Sequence, residues 1–256
     1  MTQIAQLTKA IALSLVGVLA GCGTVDTKTV VSNSDAYLAS NFTPDQLAQP
    51  VRTLVEKGEQ LPKQFNRIEY KTIADLDEEG KIYQITSAST FINLGNGYIQ
   101  NKTEYSRNGV PYRINLALTF AGIYRLKTQT TFVDRSNALY PLDTKEMSKF
   151  DRGLGKPQAG QTYGIDAKTG NAPQLMNFSD EKHVCTASQA VQAASVHASL
   201  SGTAIPLECT MTGANGVVVG KTKLMWISDL GVAFQTEYTN SRTTSRYRLE
   251  SVSIQR

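Results

Sequence analysis

From Phe65 onward the apolar positions fall on a period of two. Tyr112, Ile114, Leu116, Leu118 and Phe120 alternate with Arg113, Asn115, Ala117 and Thr119. This is the pattern of a strand with one face in a core and the other in water. A weaker alternation runs through Tyr124, Leu126, Thr128, Thr130 and Phe132, and 66–74, 81–88 and 98–107 are shorter candidates. Glu79-Gly80, Asn96-Gly97 and Asn108-Gly109 are tight-turn signals between them. The last fifty residues repeat the scheme. Ala214-Asn215-Gly216 turns into a strand over 217–227, Asp229-Leu230-Gly231 into one over 232–239, and 246–254 closes the chain. Sequential strands with tight turns predict a curved antiparallel meander or half-barrel.

Two blocks read as helix, so the fold class is mainly β (α+β) with one or two short helices. Thr43-Pro44-Asp45-Gln46 is a helix-start signature, with Leu47, Val51, Leu54 and Val55 on one face. Pro50 is expected to break or kink that helix and Gly58 to stop it. Val184, Ala187, Val191, Ala194 and Ala198 predict a second, amphipathic helix over 183–199. Between 135 and 182 glycines and prolines punctuate a segment with little periodicity, which reads as one long irregular connection. Any domain seam would run through 140–180; 43–256 is taken as a single domain.

The first 21 residues differ in kind. An apolar run of signal-peptide length leads into Leu19-Ala20-Gly21-Cys22. This resembles the lipobox of bacterial lipoproteins, and the resemblance implies acylation of Cys22 after cleavage before it. Two or more acyl chains give stable attachment where one does not. Gly23 rather than Asp follows the cysteine, which by family analogy favours the outer membrane of the cell envelope. The small, polar residues of 22–42 read as the acylated cysteine and a flexible tether.

Removing 21 of the 256 residues leaves 235, enough for one large β domain. A formal charge of +4 for the whole chain is too mild to suggest a nucleic-acid partner. Arg242, Arg246, Arg248 and Arg256 read as charges protecting an edge strand, with an anionic lipid surface as the alternative. With Cys22 assigned to lipid, Cys185 and Cys209 remain as an even pair in an oxidising compartment, and a disulfide is expected. It would pin the 183–199 helix to the strand holding Cys209. A metal set of His183, Cys185, His197 and Cys209 lacks the usual paired ligand spacing.

Other chemistry is thin, and no catalytic residue, metal ligand or cofactor is assigned. Asp75 to Gly80 matches half of a calcium loop, but Thr86 stands where the bidentate acid belongs, so a hairpin turn explains it. No Gly-x-Ser-x-Gly elbow or phosphate loop occurs. Tyr70, Tyr83, Tyr98, Tyr105, Tyr112, Tyr124, Tyr238 and Tyr247 spread through the strands, where tyrosines bridge core and solvent or line a groove.

The tail carries a second likeness. Gly160-Gln161-Thr162-Tyr163, Leu200 to Ala204, Leu207-Glu208-Cys209, Trp226 to Gly231 and Leu249-Glu250-Ser251 occur in an order that resembles bacterial envelope proteins of unknown function. Those have a curved, half-barrel or lipoprotein-carrier-like sheet. The resemblance implies fold and compartment and brings no catalytic residues. The expectation is therefore a non-enzymatic, lipid-anchored envelope lipoprotein that binds a protein partner or supports an envelope assembly. The alternative is a carrier or sensor of a lipid or other apolar ligand in the concave face.

Overall fold

A computed structural model describes residues 26–135 and 140–256; the lipobox and Cys22 lie outside them. The described chain opens with three short helices, α1 (Thr27–Ser32), α2 (Ser34–Asn41) and α3 (Gln49–Glu56). Thirteen strands follow: β1 (Arg67–Glu78), β2 (Lys81–Gly95), β3 (Tyr98–Arg107), β4 (Val110–Phe120), β5 (Tyr124–Phe132), β6 (Leu142–Phe150), β7 (Thr162–Asn171), β8 (Ser179–Ala187), β9 (Val191–Gln192), β10 (Thr203–Gly213), β11 (Val218–Ile227), β12 (Val232–Thr239) and β13 (Thr243–Gln255). Every pairing is antiparallel and strands follow one another round the sheet, except that β13 returns to β1 and β8 pairs β10. The pairing of β10 with β11 joins the two ends. The half-barrel is thus corrected to a closed barrel of twelve strands, with β9 a two-residue addition to β10. Closure gives each ring strand a neighbour on both sides, so the arginine-rich β13 is not an edge. Arg246 instead pairs Glu237, and Arg248 pairs Glu250.

The turns follow from local chemistry. Glu79-Gly80, Asn96-Gly97 and Asn108-Gly109 all have positive φ at both residues, the two-residue hairpin geometry whose twist matches its strands. At Gly97 a Cβ would lie 2.6 Å from the Phe120 ring, so close packing requires glycine as well.

Three other expectations change. Residues 26–42 are not a tether: Val30, Ser34, Leu38 and Phe42 are buried at a spacing of four, one stripe on two successive helices. Its small polar neighbours masked that stripe. Pro50 does not kink a helix but sits in the first turn of α3, where its missing N–H costs nothing; Pro44 to Gln46 is a separate 3-10 turn. The stretch 183–199 is strand β8, the two-residue β9 and a 3-10 turn, because partners on both sides recruit it as strand. Likewise 135–182 holds β6, β7 and the start of β8. Their glycines and bulges hide the alternation, and register shifts interrupt the β6–β7 ladder.

The helices lie against the outside of β3–β6. Gln100 donates through Nε2 to the carbonyls of Leu38 (3.2 Å) and Phe42 (3.1 Å), satisfying the end of α2. The Lys102 ammonium meets Asp35 at 2.7 Å. β5 and β6 share only two register pairs, and the helical cover lies over this thin seam, with Phe42 5.5 Å from the Lys127 ammonium. The core therefore has two parts. One joins Val30, Leu38, Phe42, Val51 and Val55 to Leu116, Leu118 and Phe120 on the outer face of β4. The other, with Phe65, Ile68, Phe91, Ile99, Ile227 and Phe234, closes the barrel end where β1 begins.

Candidate functional site

Closure places the polar face of the β4 alternation inside. Ile114, Leu116, Leu118 and Phe120 meet the helices, whereas Arg113, Asn115, Ala117 and Thr119 face the lumen. The lumen wall on β1–β3 is built of hydroxyls and amides. Thr72 and Ser87 hydrogen-bond across strands at 2.7 Å, and Ser89 donates to Thr103 at 2.9 Å. Thr103 in turn donates to the Asn101 carboxamide oxygen. Each wall hydroxyl thus has a partner, as burial requires. Below, Tyr70, Phe91 and Phe234 form an aromatic floor with ring centroids 5.0–5.8 Å apart.

An inner cavity of about 250 Å³ above this floor continues into a mouth of about 780 Å³ at the end holding the β1–β2, β3–β4 and β12–β13 turns. Tyr105, Asn115, Arg125, Gln235, Tyr238 and Tyr247 line both. Three guanidiniums belong to the mouth: Arg107, Arg113 and Arg125. Arg113 lies over the Tyr105 ring with Cζ 4.0 Å from the centroid, and Arg107 lies 4.4 Å over Tyr83. Such stacking fixes the guanidinium plane and leaves its N–H edge free to donate.

No described carboxylate forms an ion pair with any of the three. Of the acids that line the lumen, Glu181 holds His183 at 2.7 Å and Asp143 faces Lys127 and Lys145, whereas Glu78, at the rim of the mouth, forms no ion pair among the described residues. Two polar atoms at the mouth, Arg113 Nε and Asn115 Oδ1, are buried without a partner. A buried N–H donor with no acceptor is costly, so an acceptor is expected beside it. The Tyr247 phenol, buried and beside Tyr105, is pushed up to about 12 although Arg113 and Arg125 pull it the other way. It stays protonated at neutral pH and presents an O–H donor.

The residues singled out from sequence are distributed as follows. Cys185 and Cys209 are register partners on β8 and β10 and form a disulfide. It joins two neighbouring strands rather than a helix to a strand. His197 bonds Ser199 in the β9–β10 connection, away from His183 on β8. Asp75 to Gly80 is the end of β1 and its turn, with Asp77 accepting from the Gly80 N–H. Of the tyrosines, Tyr70, Tyr105, Tyr112, Tyr238 and Tyr247 reach the lumen, whereas Tyr98 meets Glu56 of α3. Arg113 and Arg125 were not singled out from sequence. The one available signal was an arginine and an asparagine on the polar side of the most regular strand.

No protein-family model and no curated protein sequence matches the chain. Solved structures similar to it include a DUF1329 family protein from Desulfovibrio piger, with 7% identity, 74% of this chain and 86% of that one covered and a TM-score of 0.38. Another is a β-barrel-like protein of domain of unknown function DUF1849 from Brucella abortus (9%, 75% and 100%, 0.43). A third is the hypothetical lipoprotein YmcC from Escherichia coli (12%, 84% and 95%, 0.36).

Proposed function

We propose that this chain is a lipid-anchored envelope lipoprotein whose barrel is a binding module, not an enzyme, and that its lumen mouth receives a small ligand bearing a carboxylate or phosphate. The observation that carries the ligand chemistry is Arg113, stacked on Tyr105 in a mouth of about 780 Å³ with its Nε buried and unpaired. A bidentate oxyanion satisfies such a guanidinium edge. Arg125, Asn115, Gln235 and the protonated Tyr247 supply further hydrogen-bonding groups around it. An apolar ligand gains less here, because it leaves the buried Arg113 Nε and Asn115 Oδ1 unsatisfied. The anchor reading rests on Leu19-Ala20-Gly21-Cys22.

Calorimetric titration of the mature chain in detergent with galacturonate, glucose 1-phosphate, inorganic phosphate and neutral galactose tests the ligand chemistry. Binding of one or more of the three anions, but not galactose, is expected. Arg113→Gln is expected to weaken it at least tenfold, while Arg246→Gln, on the outer surface, leaves it unchanged. Failure of all three anions to bind, or equal binding by Arg113→Gln, would overturn the reading.

A further inference from the structure

The large apolar side chains that the barrel leaves exposed are concentrated at one end. Leu175 and Met176 (87% and 69% exposed), Ile82, Val110, Val217 and Val218 all lie in or beside turns at the same end of the barrel as the lumen mouth. Of the exposed large apolar residues among those described, only Leu94 and Val191 belong to the opposite, closed end. Single exposed apolar residues are ordinary, but a ring of them on successive turns marks a contact surface.

The path of the chain says what covers it. α2 runs along the outer wall from Tyr37, bonded to Gln129, to Phe42, stacked near Lys127. β5 runs the opposite way, toward the mouth. The same direction follows on β3, where Asp35 meets Lys102 and Phe42 meets Gln100. α2 therefore begins on its mouth-facing side and runs away from the mouth, and α1, packed on α2 and β5, precedes it. Cys22 lies four residues before Asp26, a reach of about 14 Å when fully extended. With 26–42 packed on the barrel, an acyl group on Cys22 is held close to the mouth end.

We propose that the rim of the mouth docks on the lipid surface that carries the chain's own acyl anchor, so that the lumen opens toward the bilayer. The proposal rests on the lipid-anchor reading of Cys22. Lys81, Arg107, Arg135 and Arg242 share this end with Asp77, Glu78, Glu79 and Asp134, a balance of charge, so the contact works by apolar insertion at the headgroup boundary and not by attraction to anionic lipid. It is accordingly insensitive to salt.

The test uses the full acylated chain in phosphatidylcholine vesicles with bromine on the lipid tails, which quench nearby indoles. Leu175→Trp places an indole on the rim, and Leu94→Trp places one at the closed end. The buried Trp226 gives the background in the unsubstituted chain. The added emission of Leu175→Trp is expected to fall at least twofold relative to vesicles without bromine, at low and high salt alike, and that of Leu94→Trp to stay unchanged. Val217→Trp serves as a second rim reporter should Leu175→Trp fail to fold. Equal quenching at both ends, none at the rim, or quenching lost in high salt would overturn the proposal. Intact mass and vesicle flotation separate the two readings. A chain without acyl mass that does not float removes the anchor and the docking together. A chain that floats with both rim reporters unquenched removes the docking alone.

Discussion

The Arg152 guanidinium donates to the backbone carbonyl of Val55, 97 residues earlier in the chain, at the C-terminal end of α3. It also donates to the Glu59 carbonyl at 3.0 Å and to the Asn96 carboxamide oxygen in the β2–β3 turn. One side chain therefore ties the helical cover, the β6–β7 connection and a hairpin turn, and it satisfies a carbonyl that the helix end would leave open. Arg152→Met is expected to cost about 2 kcal/mol, since charge-assisted hydrogen bonds are lost and their acceptors left unpaired. Arg152→Lys should recover only part, because an ammonium lacks the fork that reaches three acceptors. Urea unfolding measures both; a midpoint unchanged in Arg152→Met would contradict the role.

Phe42 is fully buried at the end of the helical stripe, against the outer wall of the barrel. Phe42→Ala is expected to lower stability by about 3–5 kcal/mol and to open 26–42 to limited proteolysis before the barrel is cut. A flexible tether at these residues would give neither result.

The Cys185–Cys209 disulfide closes a loop with a sequence separation of 24. The chain-entropy description gives about 3.5 kcal/mol for a loop of this length. Both cysteines lie in the buried core, at 2% and 7% exposure, so reduction should need denaturant. Thiol titration of the denatured mature chain is expected to find no free thiol until reductant is added, and the double variant Cys185→Ala/Cys209→Ala should unfold at lower urea.

Tyr247 gives a pH signature. Burial, with the neighbouring Tyr105, raises its folded pKa to about 12, above the value of 10.0 in the unfolded chain. Between these values the unfolded chain has lost the proton and the folded one keeps it, so stability falls as pH rises through that window. The contribution is fully present below pH 10. Tyr247→Phe should flatten part of this alkaline decline, leaving the shares of the other buried phenols, Tyr70, Tyr98 and Tyr124. Urea midpoints from pH 9 to 12 show whether the slope differs.

Where a residue's neighbours in sequence decide its conformation, the reading from sequence holds. β3, β5 and β12 have the expected bounds because a regular alternation or a strong turn delimits them. The hairpin turns likewise follow from Asn-Gly and Glu-Gly chemistry. Where only distant partners decide, that reading goes astray. The 183–199 segment carries helical spacing, yet ladders with β7 and β10 hold its first part as β8. The stripe at 30, 34, 38 and 42 is legible only once the outer wall of β3–β5 exists to receive it.

Local patterning is enough to mark an antiparallel β protein, to place most of its hairpin turns and to leave Cys185 and Cys209 as the pair. The sequence also contains Leu19-Ala20-Gly21-Cys22, the lipobox-like stretch on which the anchor proposal depends. Tertiary structure alone decided that the sheet closes, and closure decided which face is inside. Alternation along a strand separates two faces without saying which is concave, because curvature arises from all twelve strands together. On β4 the apolar face went outward to the helices and the polar face inward, which is why Arg113 stands in a cavity and not in open water.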